Sequence, residues 1–177
     1  SSFDQHKRSR GDLVLQALNN DSHKTQQILL QSSQQYNDFN LVFGPLNKLQ
    51  AFDSVSQQFV TLTPGFHSVS NGALDDIWPK MALGVKSLED LIKTNNIDVE
   101  AFFAIMMNQT TAAQSQLPAT GIDSTLELLL SSIFIVSPSY GTRSTAIVMQ
   151  SSKGTVEVYE RNYGSDGETM NQDKFEF

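Results

Sequence analysis

The chain has 177 residues, 39% of them hydrophobic, which is enough to bury one sizeable core, so a single domain covering 1–177 is expected. Its formal charge is −7, and because Lys7, Arg8 and Arg10 against Asp4 make the first ten residues +2, the rest carries −9, which argues against a nucleic-acid partner. With no cysteine and no apolar run near the roughly 20 residues of a membrane-spanning helix, these residues exclude a disulfide framework, a thiolate metal site and a cysteine nucleophile. A soluble chain without a transmembrane segment is expected, and cytoplasmic is the default compartment.

The short basic start reads as a solvated, frayed terminus. Asp12 is placed to cap a helix in which Leu13, Val14, Ala17 and Leu18 share one face, and Asp21-Ser22 opens a second with Ile28, Leu29 and Leu30. The polar run 31–35 reads as a loop or a fraying helix end. From residue 37 the period changes: Phe39, Leu41 and Phe43 alternate with Asn40, and Val60 and Leu62 with Thr61 and Thr63, so antiparallel strands are expected. Gly44-Pro45 and Thr63-Pro64-Gly65 supply turns, and 66–70 can form another short strand. Pro79 opens a helix through Met81, Val85, Leu88 and Leu91 or Ile92, and Asp98 caps another holding Phe102, Phe103 and Met106.

Beyond the turn 121–124 a short helix carries Leu126, Leu129 and Leu130; 133–136, 145–149 and 155–159 then read as strands. The continuous apolar Ala146-Ile147-Val148-Met149 points to a strand buried on both faces. The tail after Gly164 reads as polar up to Lys174-Phe175-Glu176-Phe177. Helices, strands, helices, strands is the order of an α+β fold with antiparallel sheets covered by helices.

No phosphate loop, metalloprotease helix, calcium loop or nucleophile elbow occurs. His6, His23 and His67 lack ligand-like spacing, so no metal site is expected. His67 alone stands near a promising segment, which runs through Ser70-Asn71 into Trp78-Pro79-Lys80. Asn71 could aim its amide into a cleft as an oxyanion donor, or occupy a left-handed turn before Gly72. Trp78 suits a half-buried core position as well as a ligand wall. In Tyr140-Gly141-Thr142-Arg143-Ser144-Thr145 an arginine stands at the mouth of the apolar strand. It should meet an acid, Glu160 being the candidate across a Gly154 turn, or an anionic ligand.

Together with Arg8-Ser9-Arg10-Gly11-Asp12-Leu13-Val14, Tyr36-Asn37-Asp38-Phe39-Asn40-Leu41, Leu74-Asp75, Leu117-Pro118-Ala119-Thr120-Gly121 and Glu160-Arg161, these segments resemble the NRDE family, that of the transport and Golgi organisation 2 proteins. The stretches span Arg8 to Arg161. The family's N-terminal region, with its Cys after Met and its Asn-Arg-Asp-Glu motif, has no counterpart here. The resemblance therefore implies a fragment, or an N-terminal segment that is cleaved, disordered or carried separately and would act as a partner. It also implies an incomplete αββα sandwich similar to the N-terminal-nucleophile hydrolases. By the resemblance, Asn71 and Arg143 are the catalytic-type groups, and Ser70, Asn71, Trp78, Tyr140, Thr142, Arg143 and His67 line a ligand site. It implies binding or trafficking of a hydrophobic anionic ligand, haem or a lipid or acyl-CoA, with Golgi or mitochondrial association. No resident cofactor is expected. The alternatives are an amidohydrolase of linear amides whose cysteine nucleophile lies outside this chain, and a structural interaction domain.

Overall fold

A computed structural model describes residues 4–70, 74–75, 78–94, 97–117 and 123–177. It is α+β, with two three-stranded antiparallel sheets. The chain forms two compact units, Ser1–Asp76 and Ile77–Phe177, and each contains one of the sheets.

In the first unit, helices α1 (Gly11–Asn19) and α2 (Ser22–Ser32) precede strands β1 (Asn40–Phe43), β2 (Gln50–Asp53) and β3 (Gln58–Thr61). Asp21 caps α2 by accepting the Lys24 N–H at 2.8 Å. Asp12 does not cap α1; it lies in the first turn, where its carboxylate suits the helix dipole and meets Arg8 at 3.3 Å. Only Leu13 of the four apolar residues expected on one face is fully buried, whereas Val14 and Leu18 are exposed. Of the two readings of 31–35 the helix end holds: α2 runs to Ser32 and is followed by a 3-10 turn, Ser33–Gln35, in which the buried Ser33 hydroxyl bonds Gln57.

Leu13, Leu29, Tyr36, Phe43 and Phe52 make the core, with Ala17, Phe39, Leu41 and Phe59 packed against it. Phe52 is wholly buried, with its ring 4.6 Å from that of Phe59. It sits on β2, a strand that the alternation of polar and apolar residues did not reveal. Residues 66–70, expected as a strand, are irregular. From Asp4 onward the basic start is also tied down. Arg8 bridges Tyr36 in parallel, Lys7 Nζ donates to the Tyr36 carbonyl at 3.1 Å, and Arg10 donates to the Asp38 carbonyl at 3.2 Å. These bonds join the stretches around Arg8 and Tyr36, so both have structural work in this unit.

In the second unit, α3 (Pro79–Lys93) begins with proline at its first turn, where a missing N–H costs nothing. Helix α4 (Val99–Met106) is capped by Asp98, and α5 (Ser124–Leu130) by Asp123, which accepts from Thr125 and Leu126. Strands β4 (Ser144–Gln150), β5 (Val156–Tyr163) and β6 (Thr169–Glu176) form the sheet in that order. Gly154, at φ +93°, turns β4 into β5, and Gly167, at φ +83°, turns β5 into β6. Residues 133–136, expected as a strand, are irregular although Phe134 is buried against Tyr163.

Two further expectations change here. Strand β4 is not buried on both faces: Val148 is 53% exposed, and burial alternates along the strand. An antiparallel strand at the sheet edge needs only one covered face, and here that face is the one carrying Thr145. The tail is not merely polar, since β6 pairs along β5 from Tyr163↔Thr169 to Glu157↔Glu176. All eight of its residues are exposed, so no hydrophobic alternation marks it.

Candidate functional site

The described candidate residues lie in three places: residues 63–70 with Asp75 in the first unit, and the start of α3 and the 135–143 loop in the second. Asn71 lies outside the described residues, as does most of the Leu117-to-Gly121 stretch.

In the first unit, Ser70 is partly buried, and its carbonyl accepts from the Asn40 side chain at 2.8 Å, which moors the segment to β1. His67 has an oxygen at each ring nitrogen: Nδ1 lies 2.8 Å from Asp75 Oδ2 and Nε2 lies 2.8 Å from the Thr63 carbonyl. A neutral imidazole carries one N–H and cannot donate to both, so this geometry selects the imidazolium. The Asp75 hydrogen bond, seconded by the Thr63 carbonyl, raises the His67 pKa above 6.5, and the same bond lowers that of Asp75. As a ligand to iron, or as a base, His67 would first have to give up one of these bonds.

In the second unit, Trp78 is the half-buried residue before α3, and its carbonyl accepts from Met81 and Ala82. Lys80 Nζ lies 5.8 Å from the centre of the Trp78 ring and donates to the Leu130 carbonyl at 3.0 Å. Leu130 is the last residue of α5, so the ammonium answers an orphan carbonyl of that helix end, and its burial lowers its pKa.

The 135–143 loop is cross-braced. Thr142 N–H donates to the Ile135 carbonyl at 2.8 Å, and Ile135 N–H donates to Thr142 Oγ1 at 3.0 Å. Inside it, Ser137 Oγ accepts the Tyr140 N–H at 3.1 Å and donates to the Tyr140 carbonyl. A Cβ on Gly141 would stand 2.8 Å from the Ile135 carbonyl oxygen, so the brace requires glycine there. The loop presents Tyr140, 56% exposed, and delivers the chain to Arg143, whose carbonyl accepts from Tyr163 at 2.8 Å.

Arg143 is exposed, and among the described residues no carboxylate reaches its guanidinium. The expected pair with Glu160 does not form: the register sets Glu160 opposite Ala146, on the other face from Thr145 and Arg161. Exposure removes the desolvation cost that had argued for a partner. The other three arginines are engaged. Arg8 pairs with Asp12, and Arg10 bonds the Asp38 carbonyl. Arg161, almost fully buried, holds Glu100 at 2.7 Å and Gln172, with its guanidinium 3.8 Å from the centre of the Phe103 ring. The chemistry left to Arg143 is that of a fixed-backbone cation three residues after an exposed aromatic, suited to a carboxylate or phosphate carried on an apolar body.

Residue types did not disclose the roles of Asp75, Lys80 and Arg161. Each depends on a partner distant in sequence or held by a turn, and only the eight-residue spacing of His67 and Asp75 inside one loop could have hinted at that pair. Among the described residues, no group of three or more His, Asp or Glu could hold a metal ion, and no helix is long and apolar enough to cross a membrane.

Comparison with known proteins supplies a family. The model described as "Transport and Golgi organisation 2" matches residues 1–165. The chain is similar to the Transport and Golgi organization protein 2 homolog of Bos taurus, 27% identical over 177 residues. That match covers 90% of this chain and 64% of the relative. The human homologue is 26% identical with the same coverage, and the mouse one 23% identical over 172 residues, covering 88% and 62%. The chain thus spans less than two thirds of the length of these relatives.

Proposed function

The chain belongs to the Transport and Golgi organisation 2 family, and on that footing we propose that it is a binding or trafficking protein for a hydrophobic anionic ligand, either haem or a lipid or acyl-CoA. The observation that carries the reading is Arg143. It is the one arginine among the described residues whose guanidinium has no protein partner, and it follows a braced loop that carries an exposed tyrosine. A cation left unpaired in this way is available to an anion, and Tyr140 offers an amphipathic ring to the apolar part of the same ligand. Haem would meet this loop through its carboxylates, because both nitrogens of His67 are occupied. The names of the relatives, which speak of transport and Golgi organisation, agree with a trafficking role and extend the proposal to Golgi association.

The test is titration of the chain with haem, followed in the Soret band, and with a long-chain acyl-CoA by calorimetry. Saturable binding of either, weakened at least about tenfold by Arg143→Ala, is the expected result, since a charge-assisted contact contributes about 1.5–3 kcal/mol. If neither ligand saturates, or if Arg143→Ala binds like the parent, the reading fails.

A further inference from the structure

Thr63, His67, Ser68 and Asp75 form a device that does not depend on which ligand the protein takes. Three hydrogen bonds converge on two side chains, and a fourth joins the backbone beside them. His67 donates to the Asp75 carboxylate and to the Thr63 carbonyl, each at 2.8 Å. The Ser68 N–H donates to the other Asp75 oxygen at 2.7 Å, and the Asp75 N–H donates back to the Ser68 carbonyl at 2.8 Å. Asp75 itself sits at φ +58°, a left-handed conformation that a non-glycine residue adopts at a cost, so these bonds hold it where it would not rest unaided.

We propose that His67 is a pH-operated clasp, which as imidazolium ties the Thr63 carbonyl to the Asp75 carboxylate and on losing its proton lets one of those two ties go. The reason is donor count. The doubly protonated ring has two N–H groups for two oxygen acceptors, whereas a neutral ring has one N–H and turns a lone pair toward the second acceptor. Among the described residues Asp75 is the one charged side chain acting on the ring, and the remaining neighbour facing it is the Thr63 carbonyl. The side chains are 25% and 45% exposed, so water can take the place of the lost bond. Opening is therefore local and reversible, and the Asn40 bond to the Ser70 carbonyl keeps its mooring throughout.

The direction in pH follows from linkage. The folded pKa of His67 is raised above 6.5, so the tie is fully present below that value and is lost as pH rises through the folded pKa. Asp75 is lowered, so acid does not break the clasp until the carboxylate itself takes up a proton. The clasp is closed in mild acid and opens as pH rises through the raised His67 pKa.

The experiment uses the full chain and nuclear magnetic resonance. Histidine side-chain nitrogens are followed against pH, with His6→Gln and His23→Gln variants to assign the His67 signals. Exchange protection of the Ser68 and Asp75 amides, each relative to an unstructured chain at the same pH, is compared on the two sides of the His67 midpoint. The proposal expects a midpoint above 6.5 and a fall in protection of about five- to tenfold across it, the size of one lost hydrogen bond. It also expects Asp75→Asn to bring the midpoint back toward 6.5 and to abolish the step in protection. A midpoint at or below 6.5, or equal protection on both sides in the unsubstituted chain, overturns it without reliance on any variant.

Discussion

Arg143 and Arg161 differ by 18 positions in the chain and completely in environment, and replacing each by alanine separates the structural from the available cation. Arg161 is almost fully buried, spans Glu100 and Gln172, and lies against Phe103. Its loss removes a cation–π contact of about 0.5–2 kcal/mol and charge-assisted hydrogen bonds of about 1.5–3 kcal/mol gross. Glu100, however, is 57% exposed and regains water, so the penalty stays below the 3–5 kcal/mol of a fully buried broken pair. We expect Arg161→Ala to cost about 2–3 kcal/mol. Arg143→Ala removes an exposed group with no protein partner among the described residues and should stay within about 0.5 kcal/mol of the parent. Urea unfolding followed by circular dichroism measures both, and with a slope of about 2 kcal/mol per molar the expected midpoint shift is about 1 M for Arg161→Ala and near zero for Arg143→Ala. Equal shifts for the two variants would refute the contrast. A large shift for Arg143→Ala would mean that it has a structural partner, and would remove the basis for reading it as a ligand group.

Other substitutions probe the frame around the candidate groups. Phe52→Ala empties the centre of the first unit's core and should cost about 3–5 kcal/mol in the same unfolding measurement. Gly141→Ala drives a methyl to 2.8 Å from the Ile135 carbonyl oxygen; a loss of about 1–3 kcal/mol and weaker ligand binding are expected, and unchanged binding would show that the brace does not set the loop. Gly154→Ala and Gly167→Ala both place alanine at positive φ, at about 1–2 kcal/mol each, but only the second also meets a side chain, with Val136 Cγ2 at 2.7 Å. Gly167→Ala should therefore be the more damaging of the two, and the reverse order of midpoints would contradict the turn geometry.

Local chemistry was legible because it is written into neighbours. Asp21, Asp98 and Asp123 cap the helices that follow them, and Pro79 opens α3, since a cap needs only a side chain and an N–H two or three residues apart. The α+β order could be read from changes of period, and the family from short stretches in sequence order. Where an element lacked a buried face, as in β6, or where buried positions did not alternate, as in β2, there was no period to read. The apolar run in β4 misled because hydrophobic side chains can lie on the exposed face of an edge strand.

The sequence by itself determined the starts of α2 to α5, the absence of thiol chemistry within these residues, and the presence of an arginine after Tyr140-Gly141-Thr142. It could not decide which arginine would be satisfied. That was settled by antiparallel register, which puts Glu160 opposite Ala146 and turns it away, and by the packing of α4 on β4, which brings Glu100 to Arg161. Likewise the residue letters give His67 a single ordinary ionisation. Only the fold that brings Thr63 and Asp75 to His67 sets an oxygen at both of its ring nitrogens, because protonation is fixed by acceptors brought together in space, which residue order alone does not specify.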